Sequence, residues 1–482
     1  MGLLTRILRN TTYLTLGDKF GYLIQFIFFL YFARKFGVVP TGEYSFGFTF
    51  AYAVAVFADL GISVYLVREV SRNYSKGRRL FFDCLLLRAI LLILVSLLAS
   101  ITIILFFDDI SSQKLKVIGF WGAYWIFYSL ADVFLAELNG HEKMGQVALL
   151  GICLKLLSTI TGVLLIYLGL DYVLVLIVLP ISSFIYLCAC VLCSTYYLGP
   201  IIIKFRSITY YKNLFAKLLP FYFTVILVEI LWCQDILILG FMHGDKSVGI
   251  YSSAIKIVAF ILGISPFFHT AMLPILSRLF IESKEKLIDI SEKILRYLII
   301  SSLPVSFGLA MTADKIIELL YSDLFQGASI VIKIAGWTIA AGFIQAIFSV
   351  LLTAINRQKE KVVFVGITFA ISTLLNIVFI YYFNYVGAAI MKLVTAIIGL
   401  IFFIYLVSKY LALLSILKYI LKPAFASLIM VIFVYCFSNW GLVYLIPVSA
   451  FLYLGSLLLL GTFTAQEISF IKDLVPKRIY GR

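Results

Sequence analysis

The sequence predicts an all-α polytopic membrane protein with about fourteen transmembrane helices, and three observations predict it. The 482 residues are 63% hydrophobic and only 13% charged, with a mean hydropathy of +1.08. Soluble domains are near half apolar and a quarter charged, so a water-soluble fold is excluded. Apolar runs of roughly 20 residues, the length that crosses a bilayer, recur from end to end. Finally, a short motif occurs twice, each time at the start of an apolar span. Gly42-Glu43-Tyr44-Ser45 opens a stretch that closes at Ser71-Arg72, and Gly249-Ile250-Tyr251-Ser252 opens one that closes at Ser277-Arg278. Glycine to arginine is 30 residues in the first copy and 29 in the second.

In chain order, polar clusters place the spans near 11–32, 43–66, 84–106, 117–138, 147–168, 172–194, 219–241, 249–274, 294–312, 328–354, 362–383, 386–407, 423–438 and 442–463. Arg6 and Arg9 ahead of the first run imitate a signal peptide. The run from Tyr13 to Phe32 is too long for an h-region, however, and is expected to be a retained span. The turns at 169–171, 384–385 and 439–441 are so short that their flanking helices must form antiparallel hairpins.

The duplication extends past the motif. Asn139-Gly140-His141-Glu142-Lys143, after the fourth span, is echoed by Asn356-Arg357-Gln358-Lys359-Glu360-Lys361 after the tenth. Tyr172-Val173 and Tyr385-Val386 each begin the last span of their half. Six spans per half is an even number, so both halves enter the bilayer from the same side as parallel repeats. The expected organisation is a six-helix bundle at 1–194, a cytoplasmic linker at 195–218, a second six-helix bundle at 219–408, and an appended helix pair with a cytoplasmic tail at 409–482.

Charge gives the expected orientation. With the N-terminus inside, 27 of the 39 Lys and Arg fall in inner segments and 6 in outer loops. Both termini are therefore expected in the cytoplasm. The same asymmetry absorbs most of the +15 net charge, and no nucleic-acid partner is expected because no soluble basic face exists. The seven cysteines show no paired spacing, so disulfides are not expected. Cys188-x-Cys190-x-x-Cys193 lacks a fourth ligand and reads as core cysteines rather than a metal site. There is no Gly-rich phosphate loop and no zinc-protease helix, and the chain reads as a transporter rather than an enzyme.

Six basic side chains fall within spans: Lys19, Arg88, Lys155, Lys256, Lys333 and Lys392. A charge in hydrocarbon costs at least ~2.5 kcal/mol, so it faces a cavity unless its stem reaches the interface. Arg88, near an inner boundary beside Asp83, reads as a residue of the second kind. Lys333 and Lys392 sit near outer ends, whereas Lys19, Lys155 and Lys256 lie deeper and read as cavity residues. Among the acids, Asp59 and Asp132 read as capping or interface groups. Glu229 and Asp235, six apart on one helix, point to different sides. With Asp18 they are the candidates for binding a coupling proton or sodium ion, and no other cofactor is expected. Pro266, following Gly263, predicts a kink in the helix that carries Lys256.

The segments Phe36-Gly37-Val38-Val39-Pro40-Thr41-Gly42-Glu43-Tyr44-Ser45, Asp59-Leu60-Gly61-Ile62, Arg68-Glu69-Val70-Ser71-Arg72 and Val248-Gly249-Ile250-Tyr251-Ser252 carry a resemblance. Over essentially its whole length the chain resembles the polysaccharide-transport members of the multidrug/oligosaccharidyl-lipid/polysaccharide (MOP) exporter superfamily, the Wzx-type O-antigen flippases. The resemblance implies two six-helix bundles around a V-shaped central cavity that opens alternately to each side. It implies a substrate of undecaprenyl-pyrophosphate-linked oligosaccharide, moved to the outer face of the inner membrane during lipopolysaccharide biosynthesis. Related flippases place basic residues on the first and eighth helices, where Lys19 and Lys256 lie; lysine stands here where the lipid II flippases favour arginine.

On that footing the expected substrate-binding set is Lys19, Lys155, Lys256, Lys333 and Lys392. A pyrophosphate is at least a dianion, and lysine is a usable point-charge partner for it. The expected partners are the lipid-linked oligosaccharide and membrane lipids, extending to a polysaccharide polymerase and a chain-length regulator. A rival expectation is a cation-coupled multidrug exporter of the same fold, which six basic side chains within spans disfavour by repulsion. A membrane glycosyltransferase or polymerase would need catalytic carboxylates or a metal, usually with a large polar loop, and no outer loop exceeds about fifteen residues.

Overall fold

The computed structural model describes residues 3–106, 110–411, 415–463 and 467, and among these every extended element is a helix. The first half of the chain forms α1 (Leu3–Phe36), α2 (Val38–Asp59), α3 (Ile62–Arg72), α4 (Tyr74–Phe106), α5 (Ser112–Gly140), α6 (Met144–Tyr167), α7 (Tyr172–Val175) and α8 (Val178–Leu198). The second half forms α9 (Ile208–Leu262), α10 (Ser265–Glu282), α11 (Lys284–Leu320), α12 (Gly327–Ala335), α13 (Trp337–Ala354), α14 (Gln358–Tyr410), α15 (Ile416–Cys436) and α16 (Leu442–Leu459). Ten helical stretches among the described residues are long and apolar enough to cross a membrane, or eleven when α2 and α3, bent by 44°, are counted as one.

Two of these stretches are folded back on themselves. α9 and α14 have 55 and 53 residues, and a straight helix of that length would run roughly 80 Å, against a hydrocarbon core of about 30 Å. Gly244 (φ 75°) interrupts α9 and Asn384 (φ 55°) interrupts α14. A Cβ on Gly240 would lie 3.3 Å from Val248 Cγ2, and one on Gly387 would lie 3.0 Å from Ile380 N. Seven or eight residues of straight helix cover roughly 10–12 Å, so the chain reverses at both points. Glycine takes the left-handed conformation freely, and asparagine is among the few other residues that visit it. Asn384 Oδ1 also accepts a bond from Tyr385 N at 2.7 Å. Counting each folded helix twice, and adding α1 and the bent pair, gives the fourteen spans that the sequence predicts.

Two spans depart from expectation. The second, expected to run unbroken through 43–66, stops at Asp59, and the chain bends through Leu60 (φ 49°) and Gly61 (φ 66°) before α3 resumes. The eighth is broken rather than kinked. α9 ends at Leu262 and α10 starts at Ser265 with Pro266 in its first turn. There the missing proline N–H leaves no helical bond unmade, which is why the ring tolerates a start better than an interior.

The chain separates into two compact units, Met1–Gly263 with Leu320–Ala328 and Val362–Met391, and Ile264–Leu319 with Ser329–Lys361 and Lys392–Arg482. In the first unit α2 lies along α9, α1 along α6, and α5 packs on both α8 and α2. The glycines of the doubled motif make the α2–α9 approach possible. A Cβ on Gly42 would collide with the Asp245 carbonyl and lie 3.0 Å from Gly249 N, and one on Gly249 would collide with the Val38 carbonyl. At the same crossing Lys114, near the start of α5, pairs with Asp245 at 2.7 Å and lies 4.4 Å from the centre of the Phe46 ring.

In the second unit α10 packs on α13 and α15 on α16. Ile300 of α11 joins Ala426, Met430, Tyr453 and Leu457 in one apolar cluster, and the Tyr453 hydroxyl donates to the Ile300 carbonyl at 2.7 Å. The last helix pair is thus anchored on α11.

Candidate functional site

Three of the lysines that the sequence places inside spans gather along α1. Lys19 donates to the carbonyl of Gly263, the residue that closes α9, and its Nζ lies 5.6 Å from the Tyr22 ring. A helix C-terminus presents unbonded carbonyls and the negative end of the dipole, so an ammonium is stabilised there. Lys155 of α6 crosses α1 at Gly21, where a Cβ would stand 2.9 Å from its Nζ. Its Nζ lies 4.5 Å from the same Tyr22 ring. Two ammonium groups therefore share one aromatic ring.

Farther along α1, Lys256 reaches across from the second segment of α9. Its Nζ lies 4.3 Å from the Phe29 ring centre and 5.7 Å from those of both Tyr44 and Phe48. Phe26 and Phe260, stacked at 5.2 Å, join the two helices between Lys19 and Lys256. Ring faces stabilise a desolvated cation by roughly 0.5–2 kcal/mol each, yet they do not neutralise it. Among the described residues Lys256 makes no ion pair. A partly buried cation faced only by rings suits an anionic ligand.

Lys333 and Lys392 belong to the second unit. Lys333 is half-exposed and pairs with Asp314 at 2.7 Å, and Lys392 is partly buried on the second segment of α14. Of the acidic candidates, the side chain of Asp18 lies outside the described residues. Glu229 accepts a hydrogen bond from the Tyr52 hydroxyl, and among the described residues no cation pairs with it. Asp235 is 2% exposed and accepts from Tyr251 Oη at 2.9 Å and Asn376 Nδ2 at 3.0 Å. The two carboxylates stand in separate settings on one helix, as their spacing predicts.

Arg88 corrects the reading of it as an interfacial side chain. It is 4% exposed and bonds Asp59, Ser129 Oγ at 2.7 Å, and Asp132 at 3.6 Å. Asp83, its sequence neighbour, instead accepts from Tyr210 at 3.0 Å and Tyr211 at 3.2 Å. The Arg88 network forms one wall of a cavity of about 300 Å³, completed by Tyr52, Trp125, Tyr128 and Glu229.

A file of rings connects this cavity with Lys256. Tyr44 meets Trp121 at 5.1 Å, Trp121 meets Phe48 at 4.9 Å, Phe48 meets Trp125 at 5.6 Å, and Trp125 meets Tyr52 at 4.8 Å and Tyr128 at 5.2 Å. The signal lay in the sequence as aromatic residues four apart, Tyr44-Phe48-Tyr52 on α2 and Trp121-Trp125 on α5, which place one stripe on each helix. Among the described residues no group of three or more His, Cys, Asp or Glu is placed to hold a metal ion, and all seven cysteines are free thiols.

Comparison with known proteins adds the family. The profile of the family described as polysaccharide biosynthesis protein matches residues 7–280. The chain belongs to that family. The chain is also 24% identical over 395 residues to the probable low-salt glycan biosynthesis flippase Agl15 of Haloferax volcanii, a match covering 79% of each chain. Among solved structures it is similar to the lipid II flippase MurJ in an inward closed conformation. The TM-score is 0.77 at 17% identity, covering 96% of this chain and 99% of that one. A MOP superfamily transporter from Pyrococcus furiosus aligns with a TM-score of 0.57 at 15% identity, covering 83% of this chain and 95% of that one. At such identities the likeness shows the fold, and that fold is the polytopic helical one of the MOP superfamily. These relatives are described as flippases and transporters, not as enzymes.

Proposed function

We propose that this protein is a flippase that carries an undecaprenyl-pyrophosphate-linked oligosaccharide, of O-antigen or a related polysaccharide, across the cytoplasmic membrane by alternating access. The observation that carries this reading is the gathering of Lys19, Lys155 and Lys256 along α1 within apolar helices, with Lys256 lacking a counter-ion among the described residues. In this reading Lys256 and Lys155 hold the pyrophosphate, Lys19 positions the end of α9, and the prenyl tail stays in the bilayer. In this reading both termini face the cytoplasm, which the basic bias of the inner loops supports. Asp235, apart from the cavity that Glu229 lines, binds the coupling proton or sodium ion. The Agl15 likeness supports glycan transport, and the MurJ likeness supports a fold that serves a lipid-linked sugar.

The test is complementation of a strain lacking its own repeat-unit flippase, with surface polysaccharide and cytoplasm-facing lipid-linked repeat units measured together. The wild-type gene is expected to restore surface polysaccharide, and Lys256→Gln with Lys155→Gln to leave repeat units on the inner face. Full complementation by that double variant would remove the phosphate role. Export of cationic dyes with no effect on repeat units would point to the multidrug reading instead.

A further inference from the structure

The cavity beside Arg88 has a chemistry opposite to that of the lysine site. Three carboxyl groups, Asp59, Asp132 and Glu229, face one guanidinium. Arg88 is bonded to Asp59 and lies 3.6 Å from Asp132, and Ser63 also donates to Asp132. Glu229 accepts only from the Tyr52 hydroxyl among the described residues. The cavity therefore has acceptor capacity and negative charge in excess. Trp125, Tyr128 and Tyr52 line the rest of its wall.

Aromatic side chains beside fixed acceptors suit a sugar ring, whose C–H face stacks on an aromatic plane while its hydroxyls donate at the rim. At about 300 Å³ the cavity is at the lower end of ordinary small-molecule sites, which span roughly 300–1,000 Å³, and so takes one ring rather than a chain.

We propose that this cavity is a selective subsite for one ring of the carried glycan: a neutral or amino-bearing sugar, stacked on Trp125 and Tyr128 and donating to Glu229. Uronic acids and other acidic sugars are rejected there, because each would place a carboxylate against three others. The proposal rests on the flippase reading and deepens it. The lysines recognise the phosphate common to all such carriers, and the cavity reads which sugar is attached.

The test uses the detergent-solubilised full chain and isothermal calorimetry with three probes: undecaprenyl pyrophosphate, a glucosamine disaccharide and a glucuronate-containing disaccharide. The amino disaccharide is expected to bind at least tenfold more tightly than the acidic one. Trp125→Ala and Glu229→Gln are each expected to weaken the amino disaccharide at least tenfold and to change undecaprenyl pyrophosphate binding less than twofold. Trp125→Phe, which keeps a smaller ring, is expected to fall between wild type and Trp125→Ala; this separates ring loss from misfolding. No binding of the amino disaccharide, equal binding of the acidic one, or indifference to Trp125→Ala and Glu229→Gln overturns the subsite. Failure of undecaprenyl pyrophosphate to bind overturns instead the flippase reading on which it rests.

Discussion

Among the charged side chains within spans, Lys256 and Arg88 are handled in opposite ways. Lys256 is faced by three rings and, among the described residues, by no carboxylate, whereas Arg88 is bonded on several sides. Removing each should therefore have different consequences. Lys256→Gln is expected to lower repeat-unit transport at least tenfold, or about 1.4 kcal/mol, with little loss of thermal stability, since no partner is orphaned. Lys256→Arg keeps the charge and should retain part of the transport. Arg88→Met strands Asp59 beside Asp132, and breaking a buried pair from one side costs about 3–5 kcal/mol. It should appear as a lower unfolding midpoint in detergent, and an unchanged midpoint would mean the carboxyls do not depend on Arg88. The deep lysines were legible in the sequence because depth alone makes a lysine expensive. Arg88 was misread for the converse reason: its place along one span gives its depth, but its partners come from α2 and α5, 29 and 41 residues away.

At the scale of helices, the doubled glycine is where sequence and structure meet most closely. The repeat and the span it opens could be read directly, but nothing in one chain's pattern says what approaches the glycine. The answer is backbone on backbone, with Gly42 against Asp245 and Gly249 against Val38. Because the obstructing atoms are main chain rather than the end of a flexible side chain, Gly42→Ala and Gly249→Ala must push α2 and α9 apart. Each is expected to lower the unfolding midpoint by several degrees, whereas Gly119→Ala, with open space around it, should not. Equal midpoints for Gly42→Ala and Gly119→Ala would show that the crossing yields cheaply. The reversal of α14 was legible as a short turn, since Asn384 permits the left-handed residue that the turn needs. Asn384→Gly should therefore be tolerated and Asn384→Val destabilising by roughly 1–2 kcal/mol. The break ahead of Pro266 was only half legible, because a proline marks a disruption without saying whether the helix bends or restarts.

For the molecule as a transporter, the crossing of α2 and α9 acquires a further meaning. In the proposed orientation Lys114, Lys246 and the loops around Gly42 and Asp245 lie on the outer side. Contact there closes the outer end of the two helices that the repeat makes equivalent. On the proposed alternating-access function, outward release of a glycan requires that contact to part, and the Lys114–Asp245 pair at 2.7 Å is the charged link across it. A half-buried pair of about 1–2 kcal/mol moves a two-state balance by a factor of roughly 5–30. Lys114→Asp alone, or Asp245→Lys alone, should therefore shift the population towards the outward-open state. The measurement is alkylation from outside of Ser45→Cys, a position only 2% exposed behind the crossing, in whole cells. Each single reversal is expected to raise the labelling rate severalfold and to lower transport, because a biased carrier returns slowly. The double exchange, with Asp at 114 and Lys at 245, restores the attraction with its sign reversed and should return both quantities towards wild type. That recovery separates a latch from mere loss of packing, because a structural defect would accumulate in the double variant rather than cancel. Unchanged labelling in both single variants would mean that the glycines alone hold this end shut.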